Sequence, residues 1–127
     1  MKHSKIAIIG GGNLGSAIAE GLLKSKFITP DNLTITRRHV EALSDLKSMG
    51  VNVTNDNRAA IQKSDVIIVA LKPYNVKEVL EGLRDHFDRS KHMVISVVTG
   101  VNLKDLTAMV AHGAPVFRGM ANTAIGL

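Results

Sequence analysis

The stretch Lys5-Ile6-Ala7-Ile8-Ile9-Gly10-Gly11-Gly12-Asn13-Leu14-Gly15-Ser16 constrains the fold more than any other part of the chain. An unbroken apolar run, as in a strand buried on both faces, stops at three consecutive glycines. A helical pattern starts at Asn13, with Leu14, Ile18 and Leu22 spaced along it and the small residues Ala17, Ala19 and Gly21 between them. Gly10, Gly12 and Gly15 thus form a G-x-G-x-x-G at a strand-to-helix turn, the setting in which that spacing has a physical meaning. Gly10 permits the tight turn, Gly12 lets a diphosphate reach the backbone without meeting a Cβ, and Gly15 lets helix and strand pack closely. The first amides of the helix lack internal partners and lie at the positive end of its dipole, which suits an anion. A dinucleotide site is expected, and a purely structural glycine turn is the alternative.

The rest of the chain continues the alternation. The first helix is expected over Asn13–Lys26, then a turn at Thr29-Pro30-Asp31-Asn32 and a β-branched strand Leu33-Thr34-Ile35-Thr36. A helix carrying Val40, Leu43, Leu46 and Met49 ends at Gly50. Val51-Asn52-Val53 is a third strand, followed by a polar turn Asn55-Asp56-Asn57 and a short helix through Ile61. Val66-Ile67-Ile68-Val69-Ala70 is a fourth strand, and Lys72-Pro73 opens a helix with Val76, Val79, Leu80 and Leu83. His92–Ser96 is a fifth strand, Leu103, Leu106, Met109 and Val110 mark a last helix, and Pro115–Arg118 is a sixth strand. Helices of this length between strands imply right-handed crossovers. The expected fold class is therefore α/β: a Rossmann-like, doubly wound, mainly parallel sheet of order 3-2-1-4-5-6 with helices on both faces. Ligands of such sheets sit beyond the carboxyl ends of the strands.

The second strand exit bears on the cofactor. An NAD site places an acidic residue about 20 positions beyond the glycine motif, where it holds the adenosine ribose. Thr36 stands 21 positions beyond Gly15, and the exit reads Thr36-Arg37-Arg38. With no carboxylate to repel it, a ribose 2′-phosphate can be held there by a hydroxyl and two guanidinium groups. NADP(H) is expected over NAD(H), and two solvated arginines at a helix start are the bland alternative.

Composition narrows the remaining classes. The 127 residues suit one domain, expected to span 1–127. No apolar run approaches the ~20 residues of a membrane span, and the first strand begins so early that no signal peptide is expected. The chain has no cysteine, which removes disulfides, thiolate catalysis and cysteine-bound zinc and suits a reducing cytoplasm. The net charge of +5 invites a nucleic-acid partner, yet aromatics are only 3% and no Lys/Arg block is present, so none is expected. The five histidines include no i,i+4 pair, and no metal site is read.

Several further pieces, in order, resemble the N-terminal domain of pyrroline-5-carboxylate reductases. They are Ile9-Gly10-Gly11-Gly12-Asn13-Leu14-Gly15, Asp56-Asn57, Val69-Ala70-Leu71-Lys72-Pro73, Ser96-Val97-Val98-Thr99-Gly100-Val101 and Arg118-Gly119-Met120-Ala121-Asn122-Thr123-Ala124. The resemblance implies that Ile9, Gly10, Gly11, Gly12, Asn13 and Leu14 hold the diphosphate, and Thr36, Arg37 and Arg38 the adenosine phosphate. It implies that Asn57 contacts the cofactor, that Ala70, Leu71, Lys72 and Pro73 flank its nicotinamide half, and that Val97, Val98 and Thr99 line the nicotinamide. Asn122 and Thr123 would lie on the substrate side. The family often has alanines where Val98 and Thr99 stand, and prolines at Ala121 and Ala124.

What the resemblance implies chemically is NADPH-dependent reduction of the C=N bond of 1-pyrroline-5-carboxylate to proline. The sequence identifies no proton donor, and Lys72 is the one candidate for orientation, charge placement or proton transfer. The resemblance further implies a helical C-terminal domain, bringing the homo-oligomer and much of the imine pocket, that is not expected within these 127 residues. The chain alone is therefore expected to bind NADP(H) and to turn over poorly or not at all. Two other readings stay open: another NADP-dependent dehydrogenase of the β-hydroxyacid or F420-dependent type, and a non-catalytic NADP(H)-sensing module.

Overall fold

A computed structural model describes residues 4–88, 90–98, 103–109 and 115–118. Its strands are β1 (Ile6–Ile9), β2 (Leu33–Thr36), β3 (Asn52–Thr54), β4 (Val66–Val69), β5 (Met93–Ser96) and β6 (Val116–Arg118). Its α-helices are α1 (Asn13–Lys24), α2 (Ser44–Ser48), α3 (Asn57–Gln62), α4 (Pro73–Leu83) and α5 (Leu103–Met109). The strands form one sheet of order β3-β2-β1-β4-β5-β6, and every pairing is parallel. This is the order expected from the sequence. β1 is central, with Ile8 paired to Ile35 on one side and Ile68 on the other.

Alternation along β1 builds two cores. Ile6 and Ile8 join Ile18, Leu22, Leu43 and Leu46, on the face covered by α1 and α2. Ala7 and Ile9 join Ile61, Val76, Leu80 and Leu106, on the face covered by α3, α4 and α5. With both faces occupied, successive side chains of the strand are all apolar, which explains the unbroken run in the sequence. His92, 4% exposed, ties β5 to this layer: its Nδ1 accepts the Asp88 N–H at 2.9 Å, and its Nε2 lies 2.9 Å from the Ile61 carbonyl.

The structure corrects several element boundaries. The first helix ends at Lys24, two residues short of expectation. Lys26 takes φ 59°, while the Lys26 N–H donates to the Leu23 carbonyl and the Phe27 N–H to the Leu22 carbonyl. That pair of bonds is a Schellman stop, here with a lysine where glycine is usual. The helix expected over Val40–Met49 is instead a 3-10 turn, Val40–Leu43, followed by the single-turn α2. Its apolar residues do not share a face: Leu43 and Leu46 are buried, while Met49 is 50% exposed. The third strand is shifted one residue later, to Asn52–Thr54, by the pairing of Thr34 with Asn52. Val110, expected in the last helix, lies outside the described residues. Among the described residues no helix is long and apolar enough to cross a membrane.

Candidate functional site

Between β1 and β4 the chain connections run in opposite directions, which opens a crevice beyond the strand ends. Gly10 sits at its floor with φ +109°, and a Cβ there would stand 2.7 Å from the Ala70 carbonyl oxygen. Only glycine meets both conditions. The exits of β1 and β2 are laced together by backbone and side chain. The Gly11 N–H donates to the Thr36 carbonyl at 2.6 Å, and the Gly10 N–H to Thr36 Oγ1 at 3.3 Å. Arg37 Nη1 donates to the Gly11 carbonyl at 2.9 Å, and Ser16 Oγ donates to the same oxygen at 3.2 Å. Arg37 is thus half-buried and built into the glycine turn, whereas its neighbour Arg38 is exposed.

From this floor rises an open groove of about 1220 Å³. That exceeds the ~300–1,000 Å³ of ordinary small-ligand pockets. Its walls come from the exits of β1, β2, β3 and β4 and from the side of α4. The cations Arg37, Arg38, Arg58 and Lys72 outnumber the carboxylates Asp56 and Glu78 along it. The N-terminus of α1 opens at the same floor, with Gly12 as its N-cap, no side-chain cap and no acidic residue in its first turn. Among the described residues a Cβ at Gly12 would meet nothing within 4 Å, so an approaching ligand has access to the backbone there. Uncapped amides, a helix dipole and surplus cations together make a site for an extended, multiply phosphorylated anion.

The groove brings together Gly10, Gly11, Gly12, Thr36, Arg37 and Arg38, with Asn57, Ala70, Leu71 and Lys72 facing them. Asn13 and Leu14 follow in the first turn of α1, and Pro73 is the first residue of α4. Other residues named from the sequence are not walls of the groove. Ile9, Val97 and Val98 are buried, at 0%, 4% and 3% exposure. Thr99, Asn122 and Thr123 lie outside the described residues. Thr36 is 2% exposed, and its hydroxyl already accepts from Gly10. Lys72 is exposed at the N-cap of α4.

Sequence reasoning passed over His39, Arg58, Tyr74 and Glu78, which also line the groove. Arg58 was within reach of a sequence argument, because it follows the Asp56-Asn57 pair. Asp56 caps α3, its Oδ1 accepting the Arg58 N–H at 3.0 Å and the Ala59 N–H at 3.2 Å. Asp56→Ala should cost about 1 kcal/mol of stability, and Asp56→Asn much less, because asparagine caps equally well. Urea unfolding of both variants measures the difference.

Fold and groove together define a doubly wound, nucleotide-binding α/β domain. The chain belongs to the family described as NADP oxidoreductase, coenzyme F420-dependent, whose model matches residues 5–100. It is 34% identical over 125 residues to a pyrroline-5-carboxylate reductase of Methanosarcina acetivorans, covering 98% of this chain and 46% of that protein. With pyrroline-5-carboxylate reductase 1 of Dictyostelium discoideum it shares 33% identity over 120 residues, 94% of this chain and 22% of the relative. Among solved structures, the pyrroline-5-carboxylate reductase of Coxiella burnetii superimposes with a TM-score of 0.87 at 33% identity, over 97% of this chain and 46% of that one. The pyrroline carboxylate reductase of Plasmodium falciparum, solved with NADP bound, superimposes with a TM-score of 0.84 at 26% identity, over 99% of this chain and 45% of that one. The chain spans less than half the length of each of these relatives.

Proposed function

We propose that the chain is the cofactor-binding domain of an NADP(H)-dependent reductase acting on the C=N bond of 1-pyrroline-5-carboxylate in proline biosynthesis. The observation that carries this is the uncapped α1 terminus opening beside a β2 exit that holds two arginines and no carboxylate. The resemblance to reductases of that name along nearly the whole chain supports the substrate. A cysteine-free chain fits a cytoplasmic enzyme.

In this reading the backbone from Ile9 to Leu14 receives the diphosphate, because no Cβ stands at Gly12 and the helix amides point outward. Arg38 meets the 2′-phosphate, with Arg37 holding the turn beneath it. Asn57 contacts the cofactor, and the stretch from Ala70 to Pro73 flanks its nicotinamide half. Val97 and Val98 follow β5 with buried side chains, so only their backbone could meet the nicotinamide, and the family resemblance assigns Thr99 to that end and Asn122 and Thr123 to the substrate. When bound, the cofactor supplies the hydride. The protein orients it and places charge, and the exposed Lys72 ammonium is the candidate for the latter.

Calorimetry with NADPH tests the reading. A 1:1 isotherm is expected from this chain, and absence of heat overturns it. The substrate is tested in the full open reading frame by NADPH consumption with 1-pyrroline-5-carboxylate, against NADP+ reduction by reduced F420. Turnover only with F420 would move the function to the chemistry in the family's description. Tight binding without turnover in either assay would leave a sensing module.

A further inference from the structure

We propose that Tyr74 is the aromatic platform on which the purine of the bound dinucleotide stacks. This rests on the nucleotide reading above and adds a residue that the glycine turn and the arginines do not supply. Tyr74 lies in the first turn of α4 and is 80% exposed, more than any other large apolar or aromatic side chain described. It lines the groove, and among the described residues no side-chain hydrogen bond or ring contact holds it. Exposure of a single ring is ordinary on a protein surface; what sets Tyr74 apart is that its open π face stands on the wall of the groove, where a bound ring can cover it.

Placement identifies the ligand's part. The diphosphate belongs at Gly12, and the 2′-phosphate at the β2 exit beside Arg38. The ribose joining them leaves its base between the β2 and β3 exits on one side and α4 on the other. The α4 wall of the groove consists of Tyr74, Asn75, Glu78, Val79, Gly82 and Leu83. Tyr74 alone among these offers a π face. Arginines hold the phosphates, while stacking supplies affinity for the base without regard to its hydrogen-bonding edge.

The chain contains one tyrosine and no tryptophan, so its ultraviolet emission reports on Tyr74 alone. NADP+ and adenosine 2′,5′-bisphosphate should quench that emission, corrected against free tyrosinamide, and nicotinamide mononucleotide should leave it unchanged. By calorimetry, Tyr74→Leu should weaken NADP+ about tenfold, and Tyr74→Phe should stay close to the parent, since the stacking face is kept. Unchanged NADP+ affinity in Tyr74→Leu, or an unquenched tyrosine in a chain that calorimetry shows to be loaded, overturns the role of Tyr74 and leaves the nucleotide site standing. No heat with NADP+ in the parent chain overturns both.

Discussion

Replacing Gly15 with alanine is expected to destabilise the chain by roughly 3 kcal/mol and to abolish measurable NADPH binding. Two effects of opposite sign compete at this position. In a helix interior, alanine is favoured over glycine by about 1 kcal/mol, so on propensity alone the variant should be the more stable protein. Against this, a Cβ at Gly15 would overlap the Gly10 carbonyl oxygen and stand 3.0 Å from its carbon and 3.3 Å from Ile8 Cγ2. None of these neighbours can step aside. Gly10 is locked by its positive φ and its contact with Ala70, and Ile8 is fully buried in the central strand. Overpacking a rigid site costs about 1–3 kcal/mol, and backbone displacement puts this case at the upper end. The clash therefore wins, and α1 must lift away from the turn whose amides face the groove. Thermal unfolding and calorimetry on Gly15→Ala check both halves. A variant as stable as the parent would show that α1 and β1 do not approach as closely as described.

The contrast between Gly15 and Gly11 shows what a sequence can reveal of this site. Gly10, Gly12 and Gly15 were legible because their spacing follows from one strand, one turn and one helix, all local. Gly11 is confined too, less severely and by parts that arrive from elsewhere: a Cβ there would stand 2.9 Å from Leu43 Cδ2 and 3.0 Å from the Thr36 carbonyl oxygen. No local pattern encodes that. The sheet order was legible for a related reason, since handed crossovers leave few ways to arrange strands joined by helices. The helix over Val40–Met49 was misjudged because apolar spacing does not reveal which residue the fold will leave in water, and Met49 stays exposed. Val97 and Val98 stand on the exit of β5, where a ligand contact is the natural guess, yet their side chains fill the two cores. Tyr74 carried no motif at all. Its exposure beside the groove exists only once α4 has been placed against the strand exits.

Arg37 and Arg38 make the same distinction experimentally, because adjacent in sequence they are unlike in space. Arg38 is exposed on the groove, and Arg38→Ala should raise the NADPH dissociation constant roughly 30-fold. That is the loss expected when a charge-assisted phosphate contact worth about 2 kcal/mol disappears. NADH, which has no 2′-phosphate, should bind nearly as before. Arg37 already spends one donor on the Gly11 carbonyl at 2.9 Å. Arg37→Ala removes that tie from the turn that faces the diphosphate, a group common to both cofactors. NADPH and NADH should therefore weaken together, by about tenfold, the equivalent of one hydrogen bond to a charged group. Arg37→Lys, which can still donate to the carbonyl, should recover part of the loss for both. Calorimetric titration of the three variants with each cofactor separates the two roles. Equal losses for both cofactors in Arg38→Ala would remove the basis for NADP(H) selectivity. A loss confined to NADPH in Arg37→Ala would show instead that the bond to Gly11 opens when the phosphate arrives, and that both arginines grip it.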